Sequence, residues 1–168
     1  MKNVLKMALT LLLTSNAFAQ INERFNKGAR EFGISNIGIG YSSSHGLMIS
    51  ASTRYQYYFL NRFSAGGVAF YDQFGSTEWM GLGPVASYIL FTHSNWFGRL
   101  DQHLIAAKYN GFRGDYASVY GTSGLSLNYL PTNSNYYIGG GYAHSYALSD
   151  GDVLRPNIFQ LGIGWFFN

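Results

Sequence analysis

The chain of 168 residues has no cysteine, only three prolines, and charged side chains at just 11% of positions. The missing cysteine excludes disulfides, thiolate metal sites, a cysteine nucleophile and an acylated lipoprotein N-terminus. Past the first 20 residues there is no apolar run of about 20, the length a helical membrane span needs. A soluble domain usually carries about 25% charge, so this composition gives a poor surface for water. Basic runs that would track a phosphate backbone are absent too, which points away from nucleic acid.

What is present is glycine and aromatic side chains. There are 21 Gly, 14 Tyr, 13 Phe and 3 Trp, and the mean hydropathy is -0.03. This combination suits a membrane β-barrel, whose apolar residues alternate with small and polar ones. The length fits one domain.

At the N-terminus, Lys2 and Lys6 precede the short apolar core MALTLLL, and Ala17-Phe18-Ala19 supplies small residues at −3 and −1 before Gln20. Residues 1–19 therefore read as a cleaved signal peptide; the apolar run is too short for a membrane anchor. Cleavage removes Lys2 and Lys6 and leaves nine basic against eight acidic residues, so charge says little about partners. Residues 20–32 read as a short periplasmic or interfacial lead. Ile21, Phe25, Ala29 and Phe32 fall near helical spacing there, and a disordered lead is the alternative.

From residue 33 onward, Pro, Gly, Asn, Asp and Ser clusters cut the chain into eight strand-like segments. They run over 33–43, 46–59, 62–73, 77–90, 96–108, 116–130, 136–147 and a final strand that ends the chain. The first has a parity slip at Ser35 and Asn36 that suits a bulge. In the second, Ala51, Thr53, Tyr55, Tyr57 and Phe59 alternate with Ser52, Arg54, Gln56 and Tyr58. The third is ambiguous in parity. In the fourth, Met80, Leu82, Pro84, Ala86, Tyr88 and Leu90 share one face, and Pro84, which lacks an N–H, predicts a local break in the ladder. Such segments exceed the usual five or six residues of globular strands and match the roughly 9 to 11 that cross a bilayer.

The last strand shows which solvent these faces meet. Phe159, Leu161, Ile163, Trp165 and Phe167 alternate with Gln160, Gly162 and Gly164. In hydrocarbon each unpaired backbone group costs several kcal/mol, so a sheet that spans it must close on itself. A closed sheet in lipid turns its apolar face outward and fills a narrow interior with small and polar side chains. Tyr57, Phe59, Trp96, Tyr129, Tyr136 and Trp165 lie near strand ends, where amphipathic rings favour the headgroup level and form an aromatic girdle. The expected fold is all-β: an eight-stranded antiparallel up-and-down transmembrane barrel over residues 33–168.

On these residues the chain resembles the bacterial eight-stranded outer-membrane barrels, the group that includes the transmembrane domain of outer-membrane protein A and the X-type barrels. The resemblance implies location in the cell outer membrane, no cofactor and a monomer. It implies as partners periplasmic chaperones, the barrel-assembly machinery and outer-membrane lipid with lipopolysaccharide. It also implies that Phe159, Leu161, Ile163, Trp165 and Phe167 form an assembly signal, although Asn168 follows the last aromatic.

With a periplasmic N-terminus, Arg54, Arg99, Asp101 and His103 project into the interior, with Glu78 nearer the outer rim. An eight-stranded interior is wide enough only to be filled by side chains or to hold one small ligand. These residues therefore read as a polar network that plugs the lumen, and the role as structural, for envelope integrity, or one of surface interaction. A narrow porin-like channel using the same charges is the first alternative. The second is an enzyme acting on lipid A, which would centre on His144. That residue faces lipid, but Ser145 points to the opposite face and no acid partner is evident, so no catalytic residue is assigned. His45, His93, His103 and His144 lack paired spacing for zinc, so no metal site is assigned either.

Overall fold

A computed structural model describes residues 23–35, 38–42, 46–74, 77–111, 114–148 and 157–167. The expected signal peptide lies outside them. Nine strands follow a 3-10 turn at Glu23–Phe25: β1 (Arg30–Ser35), β2 (Gly38–Ser42), β3 (Gly46–Leu60), β4 (Phe63–Phe74), β5 (Thr77–His93), β6 (Trp96–Gly111), β7 (Gly114–Tyr129), β8 (Tyr136–Ala147) and β9 (Ile158–Phe167). Each pairs antiparallel with its neighbours, and β1 pairs with β9 on one side and β3 on the other, so the sheet closes. Strands β1 and β2 are two halves of one barrel strand, both lying against β3, which makes eight staves. Between Ile34↔Thr53 and Gly38↔Ser50 the register slips by one residue, the irregularity expected at Ser35 and Asn36.

The eight staves form because alternation is sustained along them. On β3, Ser52, Arg54, Gln56 and Tyr58 are buried in the lumen while Tyr55, Tyr57 and Phe59 are exposed on the outside. The ambiguous strand β4 turns Ser64, Val68, Phe70 and Asp72 inward. Pro84 keeps its pairing with Gly67, whereas on the β6 side the ladder runs from Leu82↔Ala106 to Val85↔His103, bracketing the proline that has no N–H to donate. Strand β5 continues past the expected end at Leu90 because a bulge between Ile89 and Phe91 restores the alternation, leaving Thr92 buried and Phe91 exposed. The hairpins at one end are tight. Each contains a left-handed residue: Arg62 (φ 66°), Ser94 (φ 50°) or Asn133 (φ 62°).

The interior departs from the expected small and polar filling, because it is layered. Along the inward face of β6 the order from the tight-turn end is Phe97, Arg99, Asp101, His103, Ile105, Ala107. Phe97 belongs to an apolar layer with Phe25, Tyr58, Ile89, Tyr137 and Phe166. Ile105 and Ala107 belong to a second, with Val68, Phe70, Trp79 and Tyr120. Bulky rings fit because glycines stand beside them on the adjacent strand; a Cβ on Gly164, the β9 partner of Tyr137, would lie 2.3 Å from the Tyr137 ring.

From residue 23 on, the N-terminal segment is neither an interfacial helix nor a lead outside the barrel. Among the described residues only Glu23–Phe25 is helical, the first strand begins at Arg30 rather than residue 33, and the chain between them folds under the tight-turn end. Phe25 is fully buried, with ring centroids 4.9 Å from Phe97 and 5.2 Å from Phe166. Backbone bonds fasten it: Arg62 N–H donates to Phe25 O at 2.8 Å and Gly28 N–H to Tyr58 O at 2.8 Å. Helical spacing failed as a guide because Ala29 and Glu31 already follow strand geometry, while Phe32 faces outward.

Close approach of β5 and β6 makes one glycine indispensable. A Cβ on Gly83 would sit 1.8 Å from the Leu104 carbonyl oxygen, whereas one on Gly67 would come no nearer than 3.9 Å to any neighbour. Gly83→Ala is expected to cost about 1–3 kcal/mol through overpacking, and Gly67→Ala less than about 0.5 kcal/mol. Urea unfolding of the two variants in lipid vesicles measures the difference.

Candidate functional site

The central layer of the lumen is ionic. Arg54 comes from β3, Glu31 from the adjacent β1, and Arg99 and Asp101 from β6, so the four charges meet across the barrel from the β1–β3 pair on one side and β6 on the other. Glu31 Oε1 lies 2.8 Å from Arg54 Nη2 and 2.9 Å from Arg99 Nη1. Its other oxygen accepts from the Tyr58 hydroxyl at 2.9 Å. Asp101 lies 3.0 Å from Arg99 Nε and 3.5 Å from Arg54 Nη1, and accepts from Ser87 Oγ at 2.5 Å. Tyr137 ties the set together. Its hydroxyl donates to Glu31 at 2.5 Å and accepts from both arginines, and its ring lies under the Arg99 guanidinium, 5.7 Å from centroid to Cζ.

Two positive and two negative groups thus cancel, with every charged side chain almost wholly buried. Ionised groups can be held in a desolvated interior only when paired and hydrogen-bonded in this way. Beside the network a void of about 30 Å³ remains, lined by Arg54, Arg99, Asp101, Ser126, Asn128 and Tyr137. That is room for no more than about two or three water molecules.

Of the residues expected in the lumen, Arg54, Arg99 and Asp101 meet in this network. His103 shares their inward face one step further along β6 and is partly exposed. Glu78 does not join them. On β5 it is Thr77 and Trp79 that are buried, so Glu78 faces outward, where it accepts a hydrogen bond of 3.0 Å from the Tyr71 hydroxyl. Glu31 takes the place assigned to it. Sequence reasoning missed Glu31 by starting the first strand at residue 33, although Glu31 and Gly33 alternate with Phe32 and Ile34 in the same rhythm. With Glu78 facing outward, two interior arginines against one aspartate also required a second carboxylate.

The outward residues follow the expected pattern. Tyr57, Phe59, Trp96 and Tyr136 are exposed at the tight-turn end, and Trp96 packs against the partly exposed Tyr129 with centroids 5.0 Å apart. On β9, Phe159, Leu161 and Phe167 are exposed and Ile163 and Trp165 partly so, while Gly164 and Phe166 are buried on the lumen side. His144 is exposed on β8 with Nδ1 3.0 Å from Asn157 Oδ1, while Ser145 is buried on the opposite face, its Oγ 3.3 Å from Thr122 Oγ1. Among the described residues no three His, Asp or Glu side chains gather as a metal site.

No protein-family model matches the sequence, and no curated protein matches it significantly. Solved structures do match. The N-terminal β-barrel domain of Pseudomonas aeruginosa OprF superposes with a TM-score of 0.62 at 16% identity, over 84% of this chain and 98% of that one. Neisserial surface protein A gives 0.59 at 16% identity, over 83% and 95%. A de novo designed transmembrane β-barrel gives 0.54 at 11% identity, over 84% and 98%. At such identities the likeness is one of fold. The chain is a closed eight-stranded antiparallel barrel of the kind that small bacterial outer-membrane proteins share, and its apolar exterior suits it to that membrane.

Proposed function

We propose that this protein is an integral outer-membrane barrel with a filled, non-conducting lumen, and that its role is structural, in envelope integrity, or one of surface interaction. The observation that carries this reading is the clamp of Glu31 on both Arg54 and Arg99, which spans the lumen and leaves room beside it for no more than about two or three waters. Phe25 and its layer close the tight-turn end below it. That end is periplasmic and the opposite end faces outside. The exposed residues of β9, with Phe167 last among them, serve as the signal read by the barrel-assembly machinery after delivery by periplasmic chaperones. The rings around Trp96 and Tyr136 sit at the inner headgroup level.

The network supports the fold by specificity rather than by net burial energy, since a buried ion pair repays its desolvation only when fully bonded. Glu31→Gln leaves two guanidinium groups sharing one aspartate. It is expected to lower stability by about 3–5 kcal/mol. The outward-facing Glu78→Gln is expected to change it by less than about 0.5 kcal/mol. Guanidinium unfolding of both variants in vesicles, followed by tryptophan fluorescence, makes the comparison.

A plugged cylinder and a channel differ in ion flow. The purified, refolded protein in a planar bilayer is expected to show no steady conductance. A stable single-channel step would replace the plug by a narrow porin-like channel.

A further inference from the structure

Most outward positions of the barrel are apolar, yet β6, β7 and β8 carry a strip of hydrogen-bonding side chains there. Gln102 pairs with Ser123 across β6 and β7, and Ser123 pairs with His144 across β7 and β8, so the three stand side by side on the exterior. Ser123 Oγ donates to Gln102 Oε1 at 2.7 Å. Gln102 Nε2 in turn donates to the Tyr146 hydroxyl. His144 Nδ1 bonds Asn157 Oδ1 at 3.0 Å, and the same oxygen accepts from Ser145 N–H at 3.2 Å. An amide oxygen only accepts, which assigns the proton to Nδ1.

The strip is built rather than incidental. Tyr146 reaches Gln102 by lying across Gly121, its paired residue on β7, and a Cβ at that position would sit 2.2 Å from the ring. With its hydroxyl accepting from Gln102, Tyr146 keeps its own O–H to donate, and Gln102 keeps a second N–H. Polar groups against lipid are costly and mark functional surfaces.

Depth identifies the partner. Strands tilted about 45° rise about 2.4 Å per residue along the membrane normal. His144 lies eight residues beyond Tyr136, and Ser123 six beyond Tyr129. They stand about 19 Å and 14 Å above the inner girdle in an apolar band about 25 Å tall. The strip therefore climbs through the outer-leaflet half of the bilayer toward its edge. Tyr146, ten residues beyond Tyr136, reaches about 24 Å, and an uncharged donor at that edge meets one abundant acceptor, the carbonyl groups that link acyl chains to a lipid headgroup. With no lysine or arginine among these side chains, the strip has no preference for phosphate.

We propose that Gln102, Ser123, His144 and Tyr146 form a lipid-facing site that hydrogen-bonds the acyl-linkage carbonyls of an ester-linked or amide-linked outer-leaflet lipid. The site rests on the outer-membrane reading and on the outward orientation of the loop end. The test uses the refolded barrel in vesicles containing equal amounts of diester and diether phosphatidylethanolamine of one chain length, which differ only in those carbonyls. Native mass spectrometry of the detergent-extracted protein reads the retained lipid.

Diester lipid is expected to be enriched about threefold, the scale of one hydrogen bond formed in a bilayer. Tyr146→Phe and Gln102→Leu are each expected to bring the ratio toward one while the barrel keeps its heat-sensitive electrophoretic mobility. Gly121→Ala, which displaces the Tyr146 ring without touching a donor, is expected to do the same. Equal retention of the two lipids by the native protein would overturn the proposal, as would a preference that survives Gln102→Leu and Tyr146→Phe combined. Release of free fatty acid from the diester would overturn it as well, since the strip would then be cleaving the ester rather than holding it. Failure to insert into vesicles would sink the outer-membrane reading and the site together, whereas insertion without ester preference sinks the site alone.

Discussion

The pairing of β1 with β9 is the constraint from which the rest of this structure follows. Hydrocarbon offers a peptide group no hydrogen-bonding partner, so an open edge is prohibitive and the first strand must meet the last. Closure with eight strands fixes a lumen only a few side chains wide. Every inward residue then has to fit its opposite number across that lumen. Neighbours within the wall must fit as well: Gly164 makes room for the ring of Tyr137, its partner on β8, and Gly33 for the side chain of Arg54, its partner on β3. Glu31 meets Arg54 along the adjacent β3, and the closed barrel brings it within reach of Arg99 on β6 across the lumen.

The layered filling accounts for the survival of four charges inside. Rings below and apolar side chains above keep water from the ionic layer, which strengthens each pairing and raises the cost of leaving any group unpaired. Tyr58, Tyr137 and Ser87 complete the set by bonding to the carboxylates. A network of this kind is geometrically demanding, because β1, β3, β6 and β8 must all stand in register before it can form. It rewards the correct register more than it rewards collapse, which is the attested use of buried polar groups in other folds. That matters in a sheet whose glycine-rich stretches, such as Gly139-Gly140-Gly141, specify register only weakly through their own side chains.

The exterior was legible in the sequence because lipid imposes a single requirement on every outward residue, and period-two alternation expresses it directly. The terminal strand and the Arg54 face of β3 could be oriented from spacing alone. The interior was less legible, since apolar residues occupy both faces wherever the lumen itself is apolar. Val68 and Phe70 point inward from β4 for that reason, and no alternation distinguishes them from the outward Ala69 and Tyr71. Glu78 was misplaced although the parity of Met80 and Leu82 already put it outside. Glu31 was lost because the near-helical spacing of Ile21, Phe25, Ala29 and Phe32 set residues 20–32 apart as a lead, whereas the first strand begins at Arg30.

The proposed plug also bears on where interaction can occur. A barrel that conducts presents its chemistry inside, to whatever passes; one blocked by its own ionic layer has only its rim and outer wall to offer. On the outer wall most side chains are indifferent to one lipid or another, so discrimination can arise only where polar groups interrupt the apolar coat. Gln102, Ser123, His144 and Tyr146 make such an interruption, and they satisfy one another well enough to tolerate lipid while keeping donors to spare. The inward charges and the outward strip are thus two solutions to one problem. Inside, the four charges pair with one another; outside, partial pairing leaves donors for the proposed lipid.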